Sequence, residues 1–302
     1  MTKALKSRAI GRHLVDIPAD ATTIESYSYN GVPVEIVEKV STPHAYQRMI
    51  EQREQELRET KHTHRGTVFI DQKRHSNEAA TLISWKRSRG DSEYELYRFE
   101  TFFRAGTRTV SYIGDVSQGR ITTALARREA LSRKWRQFAA EEIPTGIGFV
   151  AGDVILADNE LNNESWKMLI KLKDKPDAWF ELSSYIIGTV EPGLRERAGG
   201  VVAGLLGTVA GFSRLRNRQR PVGPIDADEI LLAGTQDGKR GYGFKWEAPG
   251  KVDSLAEPNL NVSLEVGESA YTTNKESFAS DEEALEVWDA VVESIRLRPG
   301  AV

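Results

Sequence analysis

Residues 280–302 permit one local reading, and it fixes how the chain must end. Ser280 with Glu283 three positions later is a capping box, in which two side chains satisfy backbone N–H groups that a helix start leaves open. Asp281 and Glu282 add negative charge to the first turn, where the helix dipole favours it. Leu285, Trp288, Val292 and Ile295 recur at helical spacing and form one apolar face. Arg296 and Arg298 suit a last turn, and Pro299-Gly300 stops it. The spacing predicts one complete helix docked on a core, with no frayed tail.

Most of the remaining chain reads as short strands. Leu14–Pro18 is extended, Tyr29-Asn30-Gly31 is a turn, and Val32, Val34 and Ile36 alternate as a strand that Pro33 places at an edge. Pro43 opens a polar helix to about Glu59, with Tyr46, Ile50, Arg53 and Leu57 on its inward side. Strands follow near 67–71, 80–86, 94–104 and 108–114. A second helix is expected from about Thr122 to Glu142 on Leu125, Leu131, Trp135 and Phe138. After Pro144, strands are expected at 150–157, 165–171, 178–187, 229–235, 241–247 and 260–266, with Asp237-Gly238 as a hairpin turn. The fold class is α+β: two domains, 1–143 and 144–302, each a mainly antiparallel sheet packed with helices. Trp135-to-Pro144 faintly echoes Trp288-to-Pro299, which raises duplication as a weak hypothesis.

Charge divides along the same line. Of the 41 Lys+Arg and 44 Asp+Glu, residues 1–143 hold 24 and 19, a balance of +5, and residues 144–302 hold 17 and 25, a balance of −8. A surface polarised this way steers encounters with a charged partner. Cysteine is absent, which excludes disulfides, thiolate zinc sites and a cysteine nucleophile. No stretch reaches the roughly 18–20 apolar residues of a membrane span. Ala198–Phe212 comes nearest but carries five glycines, and reads as a buried helix or, more sharply, a lipid- or partner-binding one. Met1–Ile10 lacks the apolar centre of a signal peptide.

No catalytic set stands out. Gly-x-Ser-x-Gly and the phosphate-loop pattern are absent, and Gly200 and Gly204 are too far apart for a dinucleotide turn. His62, His64, His75 and Asp71 are the only candidate metal cluster, in a segment polar enough to be a solvated loop. The acidic pairs Asp228-Glu229, Glu282-Glu283 and Glu141-Glu142 each read as a cap or solvated face, though glycosidase chemistry also needs paired carboxylates. Arg214, Arg216, Arg218 and Arg220, and separately Arg127, Arg128, Arg133, Lys134 and Arg136, could touch phosphates. With a net charge of −3 and no recognition motif, solvated helix ends or a patch for an acidic protein fit better. The sequence therefore favours a protein that binds: no catalytic residue, metal, cofactor or nucleic acid is expected.

Several segments resemble one family. The tail Ser294-Ile295-Arg296-Leu297-Arg298-Pro299-Gly300, with Trp288-Asp289 before it, is similar to the end of the fourth class of type VI secretion lipase-immunity proteins. Gly11-Arg12 through Asp16-Ile17-Pro18 resembles that family's opening, and Ile143-Pro144 through Gly148-Phe149 resembles its interdomain junction. Phe244-Lys245-Trp246-Glu247 and Pro258–Gly267 look like two of its later strands. The departures are Arg8-Ala9-Ile10 where the family usually carries a signal or lipoprotein sequence, so that export is inferred, and Asp226-Ala227-Asp228-Glu229 where the family tends to show Gly-Glu-Glu.

The resemblance implies a periplasmic immunity protein that binds a cognate phospholipase effector as a monomer in a one-to-one complex. It would block the effector's route to substrate or its lid sterically, with a clamp between domains. Pro144, Gly148 and Phe149 mark the implied partner-binding region. The alternatives are a cytoplasmic location, a hydrolase with an unrecognised carboxylate site, and an envelope scaffold using Ala198–Phe212.

Overall fold

The computed structural model describes residues 4–86, 96–139, 141–197, 213–236, 239–266 and 278–302. The chain begins with an antiparallel hairpin, β1 (Leu5–Ile10) and β2 (His13–Pro18). Next come β3 (Thr22–Tyr29), β4 (Val32–Val37), α1 (Pro43–Glu59), the short pair β5 (Lys61–His62) and β6 (Gly66–Thr67), then β7 (Phe69–Arg74) and β8 (Ala80–Trp85). β9 (Leu96–Ala105) and β10 (Arg108–Ser117) precede α2 (Ile121–Ser132), β11 (Trp135–Gln137), β12 (Phe149–Ala151) and β13 (Val154–Leu156). The last elements are β14 (Ser165–Lys171), β15 (Ala178–Tyr185), β16 (Ser213–Gln219), β17 (Asp228–Gln236), β18 (Lys239–Ala248), β19 (Asn259–Val266), α3 (Asp281–Val292) and β20 (Arg296–Leu297). Every strand pairing described is antiparallel, and the class is broadly α+β.

Two compact units emerge, and neither is one continuous stretch. Unit 1 takes Met1–Ser26, Thr145–Ile147 and Asn159–Val302, and unit 2 takes Tyr27–Pro144 and Gly148–Asp158.

In unit 2, β4, β10, β9, β8 and β7 follow one another in a sheet. Strand β8 is buried on both faces along almost its whole length, its polar Thr81 and Ser84 included. Its Ala80 and Leu82 join Tyr46, Ile50 and Leu57 of α1 in one cluster. Ile83 points the other way and packs with Tyr97, Phe99 and Val116 beside Ile121, Ala124 and Leu125 of α2. α1 starts as its sequence indicates: Thr42 Oγ1 accepts from the Ala45 N–H at 3.1 Å, with proline in the first turn. Asn30 and Gly31, both with positive φ, make the tight turn between β3 and β4.

Pro33 does not mark an edge. β4 lies between β3 and β10, and the proline is tolerated because the β10 ladder stops at Val34. The second helix stops at Ser132, ten residues short of the expected end, where the Ser132 hydroxyl bonds back to the Glu129 carbonyl. Trp135 then enters β11 and pairs with Leu156 of β13. Neither Gly nor Pro marks that stop, so apolar spacing alone overran it. The stretch expected as one strand at 150–157 is a hairpin turned at Gly152, which has φ +59°.

In unit 1, β16, β17, β18, β19, β15 and β14 lie side by side in that order. Alternation along β15 and β18 sends Phe180, Leu182, Phe244 and Trp246 into a core where α3 docks. Trp288 is fully buried, stacked on Phe180 (ring centroids 6.0 Å apart) and edge-on to Phe244 (5.6 Å). The cap is present: Ser280 Oγ accepts from the Glu283 N–H, while the Glu283 carboxylate reaches back to the Ala279 N–H. The helix ends at Val292, however, so Arg296 and Arg298 are not in its last turn. Arg296 and Leu297 form β20, pairing with Leu14 and His13 of β2. Trp288 is thus helical while Trp135 is in a strand, and the supposed echo between them has no structural counterpart. Asp237-Gly238 and Ala198–Phe212 lie outside the described residues, although Gln236 and Lys239 beside the first pair across the hairpin.

Candidate partner-binding surface

The charged residues singled out by the sequence are mostly consumed inside the protein. In unit 1, β16 carries the alternating arginines as a strand, where helix ends were expected. Arg216 grips Asp289 of α3 through two bonds at 2.6 and 2.9 Å. Arg220 pairs with the fully buried Glu229, with Asp289 at 2.8 Å and with Glu293 at 3.0 Å. The Trp288 indole N–H points at the same Glu229 carboxylate, 3.4 Å away. Glu229 is therefore no solvated face: it anchors the closing helix to β16 and β17. The mutual ion pairs raise the basicity of Arg216 and hold the Asp289 carboxyl below its usual range, against the opposing effect of burial.

A second buried pair explains the Gly-Arg opening. Gly11 turns the β1–β2 hairpin at φ +55°, and a Cβ there would lie 2.2 Å from Cδ1 of Trp166, so only glycine fits. Next to it, Arg12 is 1% exposed and donates twice to Glu164, at 2.7 and 3.0 Å, and to the Ala301 carbonyl at 2.6 Å. Arg298, also buried, donates to the Gly146 carbonyl at 2.7 Å. The motif and the tail are thus parts of one fastening.

In unit 2 the basic residues Arg127 and Arg128 of α2, and Arg133 and Lys134 just after it, are likewise engaged. Arg127 and Lys134 hold the buried Asp158, each at 3.0 Å. Arg128 is buried and donates to Thr101 Oγ1, which bonds Thr81, which in turn meets His75 Nε2 at 2.8 Å. Arg133 pairs with Glu129. His62 and His64 sit on the short β5 turn, while His75 belongs to that interior row. Among the described residues no group of three His, Asp or Glu side chains could hold a metal.

Pro144, Gly148 and Phe149 are all buried. Phe149 is 0% exposed, packed near the rings of Tyr27 and Tyr29, and Gly148 has φ +142° with the Leu156 carbonyl against it. The exposed large apolar side chains of that segment are Ile143 and Ile147.

One stretch of exposed apolar surface lies at an end of the unit 1 sheet. Tyr185 closes β15 opposite Asn259 of β19. Beyond it lie Val190, 70% exposed, and Val252, 42% exposed, and Tyr185 itself is 40% exposed. Tyr185, Ile187, Glu191, Glu247, Pro249 and Asn259 line a shallow depression at this sheet end. Burial, then the Glu191 and Glu247 carboxylates, push the Tyr185 hydroxyl above its ordinary pKa, so it stays a neutral phenol. No sequence motif singled these residues out, because Val190 and Val252 are isolated apolar residues in polar loops that only the fold ties together.

Carboxylates with displaced pKa values do not favour acid–base work. Among the described residues each shifted carboxyl, from Glu56 to Asp289, is held low by arginine, lysine or hydrogen-bond donors.

Comparison with known proteins completes the description. Residues 6–134 match the Tle cognate immunity protein 4 N-terminal domain, and residues 142–300 match the corresponding C-terminal domain. The chain is similar to the apo structure of immunity protein TplEi of the type VI secretion system from Pseudomonas aeruginosa, at 34% identity and TM-score 0.88, over 98% of each chain. It is also similar to a chain of the crystal structure of the Tle4–Tli4 complex, at 33% identity and TM-score 0.90, over 100% of both chains. TplEi complexed with the "L" peptide, again from Pseudomonas aeruginosa, gives 32% identity and TM-score 0.84 over 98% of each chain. No curated protein matches. The chain belongs to the Tle cognate immunity protein 4 family, a family of immunity proteins and not of enzymes.

Proposed function

We propose that the chain protects its producer by binding a cognate type VI phospholipase effector one-to-one and covering that enzyme's route to substrate, with no turnover. The observation that carries this reading is the end-to-end similarity to a chain of the Tle4–Tli4 complex. Interiorised charge fits it too: rigid, presented surfaces bind with less ordering cost than mobile ones. The same reading treats residues 1–143 and 144–302 as N- and C-terminal immunity domains, each a sheet packed with helices, and the family matches break between 134 and 142 in support. It places the protein in the periplasm, as the family resemblance implies. No helix among the described residues is long and apolar enough to cross a membrane.

The test is titration of the purified chain into the lipase encoded beside its gene. Hydrolysis of a phospholipid substrate is expected to fall to background at about one equivalent, as a tight complex requires. Full lipase activity in the presence of excess chain refutes the proposal.

A further inference from the structure

The exposed end of the unit 1 sheet is built as a rigid surface. The loop from Pro249 to Pro258 is closed on itself: the Lys251 N–H donates to the Glu257 carbonyl at 2.7 Å, and Asn259 Nδ2 to the Pro249 carbonyl at 3.4 Å. Gly250 has φ +76°, and a Cβ there would lie 2.5 Å from the Asn259 nitrogen, so the backbone crosses itself tightly. Asp253 holds φ 52°, and its N–H donates to the Ile187 carbonyl at 3.0 Å, tying this loop to the one that carries Val190. A left-handed non-glycine residue persists only where its surroundings fix it. The fixed geometry leaves Val190 and Val252 exposed on the two tied loops that follow β15 and β18.

The charge around these side chains is one-sided. Glu247 is paired with Arg197 and Lys245, and Glu257 with Lys251. Glu191 and Asp253, both exposed, have no ion-pair partner among the described residues. The surface therefore offers a neutral aromatic face, two aliphatic side chains and two uncompensated carboxylates. An aromatic face and carboxylates together suit a lysine or arginine, and the valines suit aliphatic neighbours of that residue.

Resting on the immunity reading above, we propose that this end of unit 1 docks a segment of the lipase effector in which a lysine or arginine is flanked by aliphatic side chains. The cation lies over Tyr185 between Glu191 and Asp253, and the aliphatic groups cover Val190 and Val252. The aromatic and aliphatic contacts set the dissociation rate, and the carboxylates set the association rate.

The experiment measures binding of the cognate lipase to the full chain and to two double variants, Tyr185→Ala/Val190→Asp and Glu191→Lys/Asp253→Lys. All four positions are exposed or half-exposed at the surface, and thermal melting checks that each variant stays folded. The first variant is expected to raise Kd about 100-fold or more through faster dissociation. The second is expected to slow association about tenfold in low salt, with the difference shrinking in 0.5 M salt, on the order expected for lost steering. An Ile70→Asp variant, altering an exposed side chain of unit 2, is the control and keeps wild-type Kd. If both double variants bind and inhibit as wild type does, the docking proposal is overturned while the immunity reading stands. If wild type itself neither binds nor inhibits, both fail. If sedimentation shows a wild-type dimer that Val190→Asp dissociates with inhibition unchanged, the surface serves a second copy of the chain and the proposal is again overturned.

Discussion

Trp288→Ala separates the two roles that α3 could have. The indole is fully buried, stacked on Phe180 and edge-on to Phe244, with its N–H 3.4 Å from Glu229. Removing a side chain of this size costs about 3–5 kcal/mol in lost transfer energy and cavity formation. The hydrogen bond adds little, since 3.4 Å is long and Glu229 keeps Arg220. Trp288→Phe, which keeps a ring and loses the N–H, is therefore expected to cost only about 1–2 kcal/mol. At a urea dependence of roughly 3 kcal/mol per M, the alanine variant moves the unfolding midpoint down by a little over 1 M and the phenylalanine variant by about half that or less. Far-UV circular dichroism in urea reads both. Hydrogen exchange by peptide shows whether the loss falls on unit 1. Below the transition, folded Trp288→Ala still inhibits the lipase in full. The reasoning is refuted if phenylalanine is as damaging as alanine, which would make the Glu229 bond dominant. It is equally refuted if folded Trp288→Ala has lost inhibition, which would put the helix in the interface.

Two further expectations concern the N-terminal hairpin. His13 is 2% exposed, and burial, helped by the Arg12 charge, lowers its pKa from 6.5 to about 4. Because only the unfolded chain takes up that proton between pH 6.5 and 4, stability is full above 6.5 and falls by about 3 kcal/mol as pH drops through this window. His75, also lowered chiefly by burial, adds to the slope in the same direction. His13→Gln removes the His13 part, and urea midpoints at pH 7 and 4.5 that shift equally in both proteins would contradict the assignment. Glu164→Ala leaves the 1% exposed Arg12 guanidinium without its carboxylate and is expected to cost about 3–5 kcal/mol. Arg12→Met combined with Glu164→Leu recovers most of that loss in thermal melting, since the pair itself contributes far less than breaking it costs; a double variant as unstable as the single one counts against this.

What the sequence made legible was local. The capping box at Ser280 and Glu283, the Thr42-Pro43 helix start and the Asn30-Gly31 turn each depend on neighbours within a few residues, and each is present. Period-two strands such as β15 and β19 were found for the same reason. Failures gathered where distant segments decide. β20 is a strand only because β2, some 280 positions earlier, supplies its ladder, and helical spacing at Ile295 could not compete with that. Arg12, Arg128, Arg298 and Glu229 look like surface residues until their partners are known, because burying a charge depends on a counter-group that no local pattern reveals. The exposed Tyr185, Val190 and Val252 cluster was invisible on the same ground: its members are joined by a sheet end and two loops. Arg214 to Arg220 were visible as an alternation, yet the role of Arg216 and Arg220 as an anchor for α3 required seeing Asp289 and Glu293 opposite them.

The pairing of β2 with β20 also sets an order in which the two units can be completed. The β1–β2 hairpin lies some 280 positions ahead of its ladder partner and of the Ala301 carbonyl that receives Arg12, so unit 1 is complete only once both are present. Unit 2, closed by residue 158, can finish folding while unit 1 waits with its opening hairpin in hand. A circular permutant that joins the two ends by a short linker and opens the chain in an exposed unit 2 loop would abolish that wait. Its unit 1 should refold faster than that of the parent chain, whereas a chain truncated before residue 281 should leave Leu14, Val15 and Ile17 of β2 open to proteases.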